Sequence, residues 1–209
     1  MKRHSYFHIF LGGDNLVKKD KPKYKQIVDA AVVVIAENGY HQAQVSKIAK
    51  QAGVADGTIY LYFKNKEDIL ISVFEEKMAV FVEKLEQILV LDIPAADKLG
   101  MMIKSHFSLL ANDLHLAIVT QLELRQSNTE IRMKINGVLR GYLLLLDKIL
   151  VKGMEDGEFD EEMDIRLARQ MVFGTMDETI TTWVMNDHKY DLVELAPKVH
   201  HLLMKGIRA

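Results

Sequence analysis

The fold is decided by residues 45–63, which read VSKIAKQAGVADGTIYLYF. This pattern predicts a short helix over residues 45–52, a turn at Gly53 and a second short helix over residues 56–62. The small side chain of Ala49 lets the second helix cross close to the first, as in a helix-turn-helix. Such a pair can place its second helix in the major groove of DNA, which is about 12 Å wide.

Helical periodicity continues beyond this motif. Pro22 and Asn65 stand where helices should begin, and Asn38-Gly39 and Pro94 stand where helices should end. No stretch alternates like a β-strand, so the sequence predicts an all-α protein of nine helices. Residues 1–17 lack helical periodicity and are expected to form a mobile extension. The remaining predicted helices cover residues 23–38, 66–89, 95–111, 113–126, 129–154, 162–186 and 192–207.

Charge is distributed unevenly along the chain. The 209 residues include 27 basic and 29 acidic ones, for a formal net charge of −2. Residues 1–72 hold eleven of the basic and seven of the acidic residues, so this part is basic and the remainder is acidic. A basic segment favours a polyanionic partner for the N-terminal part alone, although a difference of this size also lies within ordinary scatter.

Cysteine is absent. This excludes disulfide scaffolds, Cys-ligated zinc, iron–sulfur clusters and a cysteine nucleophile. Uninterrupted apolar runs, such as residues 143–146, are far shorter than the roughly 20 residues that a membrane span needs. The N-terminal residues do not follow the pattern of a secretory signal, so a cytoplasmic protein is expected.

Hydroxyl groups and lysines cluster on and directly after the second short helix. Both bind phosphate oxygens, and the N–H groups at the start of the next helix attract phosphate as well. Few side chains here could read bases, so specificity is expected to use the first residues of the helix and DNA shape. A helix-turn-helix used only for packing is the alternative, against which two exposed tyrosines beside two lysines argue. The candidate DNA-binding residues of this segment are Ala55, Asp56, Gly57, Thr58, Tyr60, Leu61, Tyr62, Lys64 and Lys66.

Residues 53–70, GVADGTIYLYFKNKEDIL, resemble the signature of the tetracycline-repressor (TetR) family of bacterial transcriptional regulators. The resemblance extends from Lys23 to about Leu70. It implies the nine-helix TetR-type fold, with a helix-turn-helix DNA-binding domain over residues 18–66 and a ligand-binding and dimerisation domain over residues 67–209.

The resemblance also implies partners. Members of the family are homodimers that bind a palindromic operator in double-stranded DNA and pair through their last two helices, here 162–186 and 192–207. Helix 162–186 carries two apolar stripes, which agrees with an interface, although burial within the bundle would explain them equally well. Gln44 departs from the pattern, because the family often has Ser or Thr there as the cap of the second helix. Additional DNA contacts implied by the resemblance are Lys23, Tyr24, Gln42, Ser46 and Lys47.

The C-terminal part is rich in methionine and large apolar residues. Such residues can line a cavity for a long flexible ligand, although they more often form ordinary core. Its arginines could hold an anionic head group, or could equally be surface ion-pair partners. The candidate ligand-binding residues are Phe107, Leu110, Leu114, Val119, Leu122, Arg125, Arg169, Phe173, Met176 and Trp183.

Residues 106–111, 117–128 and 165–187 further resemble the repressors of fatty acid degradation within the TetR family. This resemblance implies a long-chain acyl-CoA effector, with the chain in an apolar tunnel and the CoA near solvent. A drug or another hydrophobic small molecule is the alternative effector. An enzyme with a di-metal centre is not expected, because no histidine of the C-terminal part ends a Glu-x-x-His sequence. Neither a metal nor a cofactor is expected.

Overall fold

The computed structural model describes residues 22–208, so the extension expected at residues 1–17 lies outside the described residues. Within this range the chain forms nine α-helices, one 3₁₀-helix and no strand, which confirms the all-α prediction. The α-helices are α1 (Pro22–Gln42), α2 (Val45–Gln51), α3 (Asp56–Ile59), α4 (Lys66–Leu89), α5 (Ala95–Ala111), α6 (Leu114–Glu123), α7 (Thr129–Glu155), α8 (Ile165–Met185) and α9 (Ala196–Ile207), and the 3₁₀-helix is Val193–Leu195.

Local sequence signals set the turns of the N-terminal region. α1 begins at Pro22, as predicted, where the missing proline N–H costs no helical hydrogen bond. Gly39 interrupts α1 with φ 71° and ψ 154°. Gly53 has φ 62° and turns the chain between α2 and α3. Positive φ angles are favourable for glycine, so both turns depend on that residue type.

α3 is shorter than predicted, because it ends at Ile59 rather than at Tyr62. The N–H groups of Leu61 and Tyr62 donate to the carbonyls three residues earlier, so the chain leaves the α-helix in a tight turn. The turn brings the ring of Phe63 against that of Tyr24 in α1, with the centroids 5.1 Å apart.

α4 begins at a side-chain cap. The Asn65 side-chain oxygen accepts a hydrogen bond from the N–H of Asp68 at 2.8 Å, as the sequence predicts for a capping asparagine. The Asp68 carboxylate in turn accepts from the N–H of Lys64 at 3.0 Å. The two side chains together satisfy backbone donors that the first turn of a helix leaves without partners.

The described residues pack into two compact units. The N-terminal unit comprises the described residues up to Ala79 together with Glu123–Gly141, and the C-terminal unit comprises Val80–Leu122 together with the described residues from Tyr142 onward. α4 and α7 each contribute residues to both units. These are units of packing, and the functional division between residues 66 and 67 stays a prediction.

Two contacts organise the C-terminal unit near α5. The N–H groups of Ala95 and Ala96 donate to the two carboxylate oxygens of Glu158, at 2.9 and 3.0 Å, which caps α5 from another part of the chain. Phe159 packs directly on Gly153 near the end of α7.

In the described range, no helix combines the length and the apolar character that crossing a membrane requires.

Candidate functional site

The helix-turn-helix exposes most of its short second helix. Ile59 is fully buried and anchors α3, whereas the side chains of Tyr60 and Leu61 are 59% and 68% exposed. Ala55, Asp56 and Gly57 are also exposed, and Thr58 and Tyr62 are partly exposed. The structure therefore brings these predicted DNA-binding residues together on and beside α3.

The predicted lysines differ in what their ammonium groups contact. Lys64 is exposed next to α3. Lys66 donates to the carbonyl oxygen of His41 at 2.9 Å, and its Nζ lies 4.7 Å from the centroid of the Tyr40 ring. Lys47 donates to the side-chain oxygen of Asn38 at 2.9 Å. Lys66 and Lys47 thus hold neighbouring helices together in this structure.

Tyr24 has a packing role. Its ring is buried between the α1 backbone and the rings of Phe63 and Tyr62, at centroid distances of 5.1 and 6.5 Å. Burial raises the pKa of the Tyr24 hydroxyl well above its usual value. A DNA contact needs an exposed side chain, so this burial argues against the predicted contact. The other residues implied by the family resemblance, Lys23, Gln42, Ser46 and Lys47, are exposed.

A polar network within the N-terminal unit joins Tyr40 of α1 to Glu123, Gln126 and Arg132. The N–H of Tyr40 donates to Glu123 at 2.9 Å, and the side-chain amide of Gln126 donates to the same carboxylate. Arg132 of α7 donates to the carbonyl oxygen of Gln126 at 2.9 Å. Sequence reasoning missed Glu123, and its one signal is an acidic residue at the end of the mostly apolar helix α6.

The C-terminal unit holds a narrow cavity of about 10 Å³. Residues from α4, α5 and α7 line it, and those from α5 follow helical spacing on one face. Six of the nine lining residues are buried, Ser105 and Leu109 are partly exposed, and Lys84 is exposed. The lining residues are Phe81, Lys84, Leu85, Ile88, Met102, Ser105, His106, Leu109 and Tyr142.

A hydrogen-bonded pair stands inside this cavity. The Nδ1 atom of His106 lies 2.8 Å from the hydroxyl oxygen of Tyr142. The ring of Phe81 covers both partners, with centroid distances of 4.7 Å to His106 and 6.3 Å to Tyr142. Burial lowers the pKa of His106 to about 3 and raises the pKa of Tyr142. Both groups are therefore neutral near pH 7.

The predicted ligand-binding residues lie elsewhere in the structure. None of the ten lines the cavity described above. Phe107, Leu110, Val119, Met176 and Trp183 are buried in packing contacts, and Leu114, Leu122 and Arg125 are exposed. The predicted residues Phe107 and Leu110 lie on one face of α5 and the cavity lies on the neighbouring face, because periodicity alone does not separate a core face from a cavity face. The ligand-binding role of the ten residues stays a prediction.

Two of the predicted ligand residues do have notable contacts. Arg169 donates to Asp147 at 2.6 Å in a partly buried ion pair, which matches the ion-pair alternative rather than a free anion clamp. The ring of Phe173 packs edge-on against that of Tyr142, with the centroids 6.4 Å apart. Phe173 therefore supports the wall of the cavity from behind Tyr142.

An open groove of about 630 Å³ runs along α8. Met171 and Gly174 line it together with a row of polar residues, and Tyr190 and Leu195 close one side. Leu167 of α8 and Leu202 of α9 are also strongly exposed, at 59% and 66%.

Within the described range no three His, Cys, Asp or Glu side chains are grouped so that they could hold a metal ion.

Comparison with known proteins matches two successive parts of the chain to two family descriptions. Residues 27–73 match the family described as "Bacterial regulatory proteins, tetR family", and residues 74–206 match "YsiA-like protein, C-terminal region". The "Fatty acid metabolism regulator protein" of Bacillus subtilis (strain 168) is 66% identical over 191 residues, which cover 91% of this chain and 98% of the relative.

Two solved structures are similar over nearly the same length. The transcriptional regulator FadR from Bacillus subtilis, in complex with stearoyl-CoA, has a TM-score of 0.86 at 67% identity and covers 88% of this chain and 100% of its own. The fatty acid degradation regulator FadR from Bacillus halodurans has a TM-score of 0.85 at 63% identity, with coverage of 88% and 100%.

Proposed function

Because the chain belongs to the TetR family of bacterial regulatory proteins, we propose that it represses genes of fatty acid degradation. A homodimer binds a palindromic operator, and long-chain acyl-CoA releases it. The observation that carries this proposal is the 66% identity, over nine-tenths of the chain, to a regulator of fatty acid metabolism. Such a protein acts in the cytoplasm, where the operator is, and performs no catalysis.

The exposed surface of α3 supports the DNA-binding part of the proposal. Tyr60, Thr58 and Lys64 offer hydroxyl and ammonium donors that suit phosphate oxygens. Each half-site of a palindrome takes one such helix from one protomer. Half-sites one helical turn apart need recognition helices about 34–36 Å apart, so any change in that spacing weakens binding.

The cavity supports an effector that enters by rearranging side chains. A volume of about 10 Å³ is close to that of a single water-sized sphere and far below that of a long acyl chain. The acyl chain of the effector must therefore displace side chains of α4, α5 and α7 in order to enter. Because α4 also contributes its first turns to the N-terminal unit, its displacement would alter the geometry of DNA binding. The ligand acts only if it binds the displaced state better.

The last two helices support the dimer. Leu167 and Met171 on α8 and Leu202 on α9 are exposed apolar side chains, and Met171 lines the open groove. A second copy that covers them would bury this surface in an isologous interface. Leu202→Glu should then shift the protein to monomer in analytical ultracentrifugation and abolish operator binding, whereas Met133→Glu, at an exposed position of α7, should leave the dimer intact.

A band-shift titration with acyl-CoAs of increasing chain length tests the effector. We expect long-chain acyl-CoA to release the operator and free CoA to have no effect. Unchanged operator affinity with every acyl-CoA would exclude this effector. The alternative, a drug or another hydrophobic molecule, is distinguished by native mass spectrometry, since a ligand retained through purification reveals its own mass.

A further inference from the structure

The cavity in the C-terminal unit combines an apolar wall with one buried polar pair. Its buried lining residues are apolar apart from His106 and Tyr142, whose Nδ1 and hydroxyl oxygen are 2.8 Å apart. Phe81 and Phe173 pack against the pair, so no bulk solvent reaches it from those sides. Polar groups buried in this way are costly unless each hydrogen-bonding position finds a partner.

Counting hydrogens shows that the pair has a spare donor. A neutral imidazole and a phenol carry two polar hydrogens between them, and the bond that joins them uses one. Either the imidazole N–H or the phenol O–H then remains, whichever ring nitrogen carries the proton. The side chains of His106 and Tyr142 make no second hydrogen bond with the residues that the structure describes.

The charge state of the pair restricts what this donor can bind. Burial keeps His106 unprotonated at neutral pH, so the pair carries no positive charge that would hold a carboxylate or a phosphate. A neutral oxygen that only accepts hydrogen bonds, such as a carbonyl, is the matching group. Without this donor, the buried carbonyl oxygen of the ligand would have no hydrogen-bond partner.

The position of the pair in the cavity further restricts the class of ligand that fits. Lys84 is the exposed lining residue, and Ser105 and Leu109 are partly exposed, so the rim lies on the side of these three residues. His106 follows Ser105 directly and is buried. A ligand with an apolar chain inside and a polar, phosphate-bearing part outside would place the junction of the two parts at this depth.

We infer that the His106–Tyr142 pair donates a hydrogen bond to the thioester carbonyl of a bound acyl-CoA. The inference rests on the proposed function, because it assumes that acyl-CoA occupies this cavity. The pair thereby distinguishes a thioester from ligands that are equally apolar but lack an acceptor at that position. A site built to bond a polar group rejects analogues without it more strongly than an apolar wall can.

Two ligands that differ in the carbonyl alone test this. Stearoyl-CoA carries the thioester, and S-octadecyl-CoA is a thioether with the same chain length and no carbonyl oxygen. Isothermal titration calorimetry with the full-length protein gives the dissociation constant of each. We expect the wild type to bind the thioether about tenfold more weakly, the loss of one buried hydrogen bond.

A double variant, His106→Leu with Tyr142→Phe, removes both polar partners and keeps similar side-chain volumes. Replacing both members of a buried pair is far less disruptive than replacing one, which would leave the other without a partner. We expect this variant to bind the two ligands equally. Ser108→Ala is the matched control, since the Ser108 hydroxyl donates to the backbone carbonyl oxygen of Lys104 in its own helix and does not line the cavity. It should keep the wild-type ratio.

The outcomes separate this inference from the proposed function. Equal affinity of the wild type for both ligands overturns the inference and leaves the acyl-CoA effector in place. A preference for the thioester that persists in the double variant also overturns it. If the wild type binds neither ligand, the acyl-CoA effector and the inference both fall. The comparison of ligands on the wild type needs no variant to fold.

Discussion

Gly153 lies so close to the ring of Phe159 that no side chain fits between them. A Cβ atom placed on Gly153 would come within 2.8 Å of Phe159 Cγ and closer still to two other ring carbons. The carbonyl of Gly153 accepts from the N–H groups of Glu158 and Phe159, at 2.8 and 3.0 Å, which fixes the ring in place. The same turn brings Glu158 to the start of α5.

We expect Gly153→Ala to lower the free energy of unfolding by about 1–3 kcal/mol, because the ring must move to admit the methyl group. Gly141 of the same helix is a matched control, as a Cβ there meets no atom within 4 Å. Gly141→Ala should raise stability by up to about 1 kcal/mol through helix propensity. Urea unfolding at one fixed protein concentration measures both. Equal effects of the two changes would contradict the contact.

Stability should fall as the pH drops below about 6.5. The pKa of His106 is lowered from 6.5 to about 3, so the folded state binds fewer protons at this site than the unfolded chain between those values. The stabilisation is fully present above pH 6.5 and is lost progressively toward pH 3. From pH 7 to pH 5 the loss from this one site is at most about 2 kcal/mol.

Denaturant unfolding at pH 7 and pH 5 measures this loss. The double variant His106→Leu, Tyr142→Phe removes the titrating group and should lose correspondingly less stability between the two conditions. His115 is exposed on α6, so His115→Leu serves as a control and should show the wild-type difference. An unchanged pH dependence in the double variant would show that His106 does not stay neutral in the folded protein.

The starts of α4 and α2 differ in their capping, and both can be tested by substitution. The Asn65 side chain caps α4, so Asn65→Ala should cost about 1 kcal/mol. Gln44 at the start of α2 makes no capping bond although its backbone is extended, with φ −91° and ψ 141°. Gln44→Ser should therefore add up to about 1 kcal/mol, whereas Gln44→Ala should not. Thermal unfolding compares the three variants, and a gain with Ala would point to another cause.

Lys64 and Lys66 should respond differently to replacement by alanine. Lys64→Ala removes one exposed ammonium from each protomer. The negative slope of log K against log salt should then become less steep by about 2 for a dimer, uniformly across operator variants. Lys66→Ala removes the bond to His41 and the contact with Tyr40, so it should also lower the Tm. Fluorescence anisotropy over a salt series gives the slopes. Lys104→Ala, an exposed lysine of the C-terminal unit, should change neither quantity.

The helices could be predicted because their signals are local. Ala95–Ala111 was predicted to the residue, since Pro94 and Asn112 flank a strongly periodic stretch. α3 was predicted three residues too long, because its end depends on Phe63 reaching Tyr24 in another helix. No pattern within residues 56–62 contains that contact.

The DNA-binding surface and the cavity also differ in whether their signals are local in the sequence. The surface of α3 follows from a short motif whose exposed residues are neighbours in sequence. The cavity needs three helices at once, and Tyr142 and His106 meet only through tertiary packing. Their pairing leaves no trace in the spacing of either residue, so sequence reasoning chose Phe107 and Leu110 on the adjacent face of α5.

The Tyr40–Glu123 hydrogen bond makes one backbone amide a natural reporter. The partner of the Tyr40 N–H is a side chain that is 83 residues away and belongs to α6. Exchange of this single proton with deuterium therefore reports how often the hydrogen bond between the Tyr40 N–H and the Glu123 carboxylate opens. NMR detection of the Tyr40 amide would follow the opening of this bond in solution, without a label, a ligand or DNA.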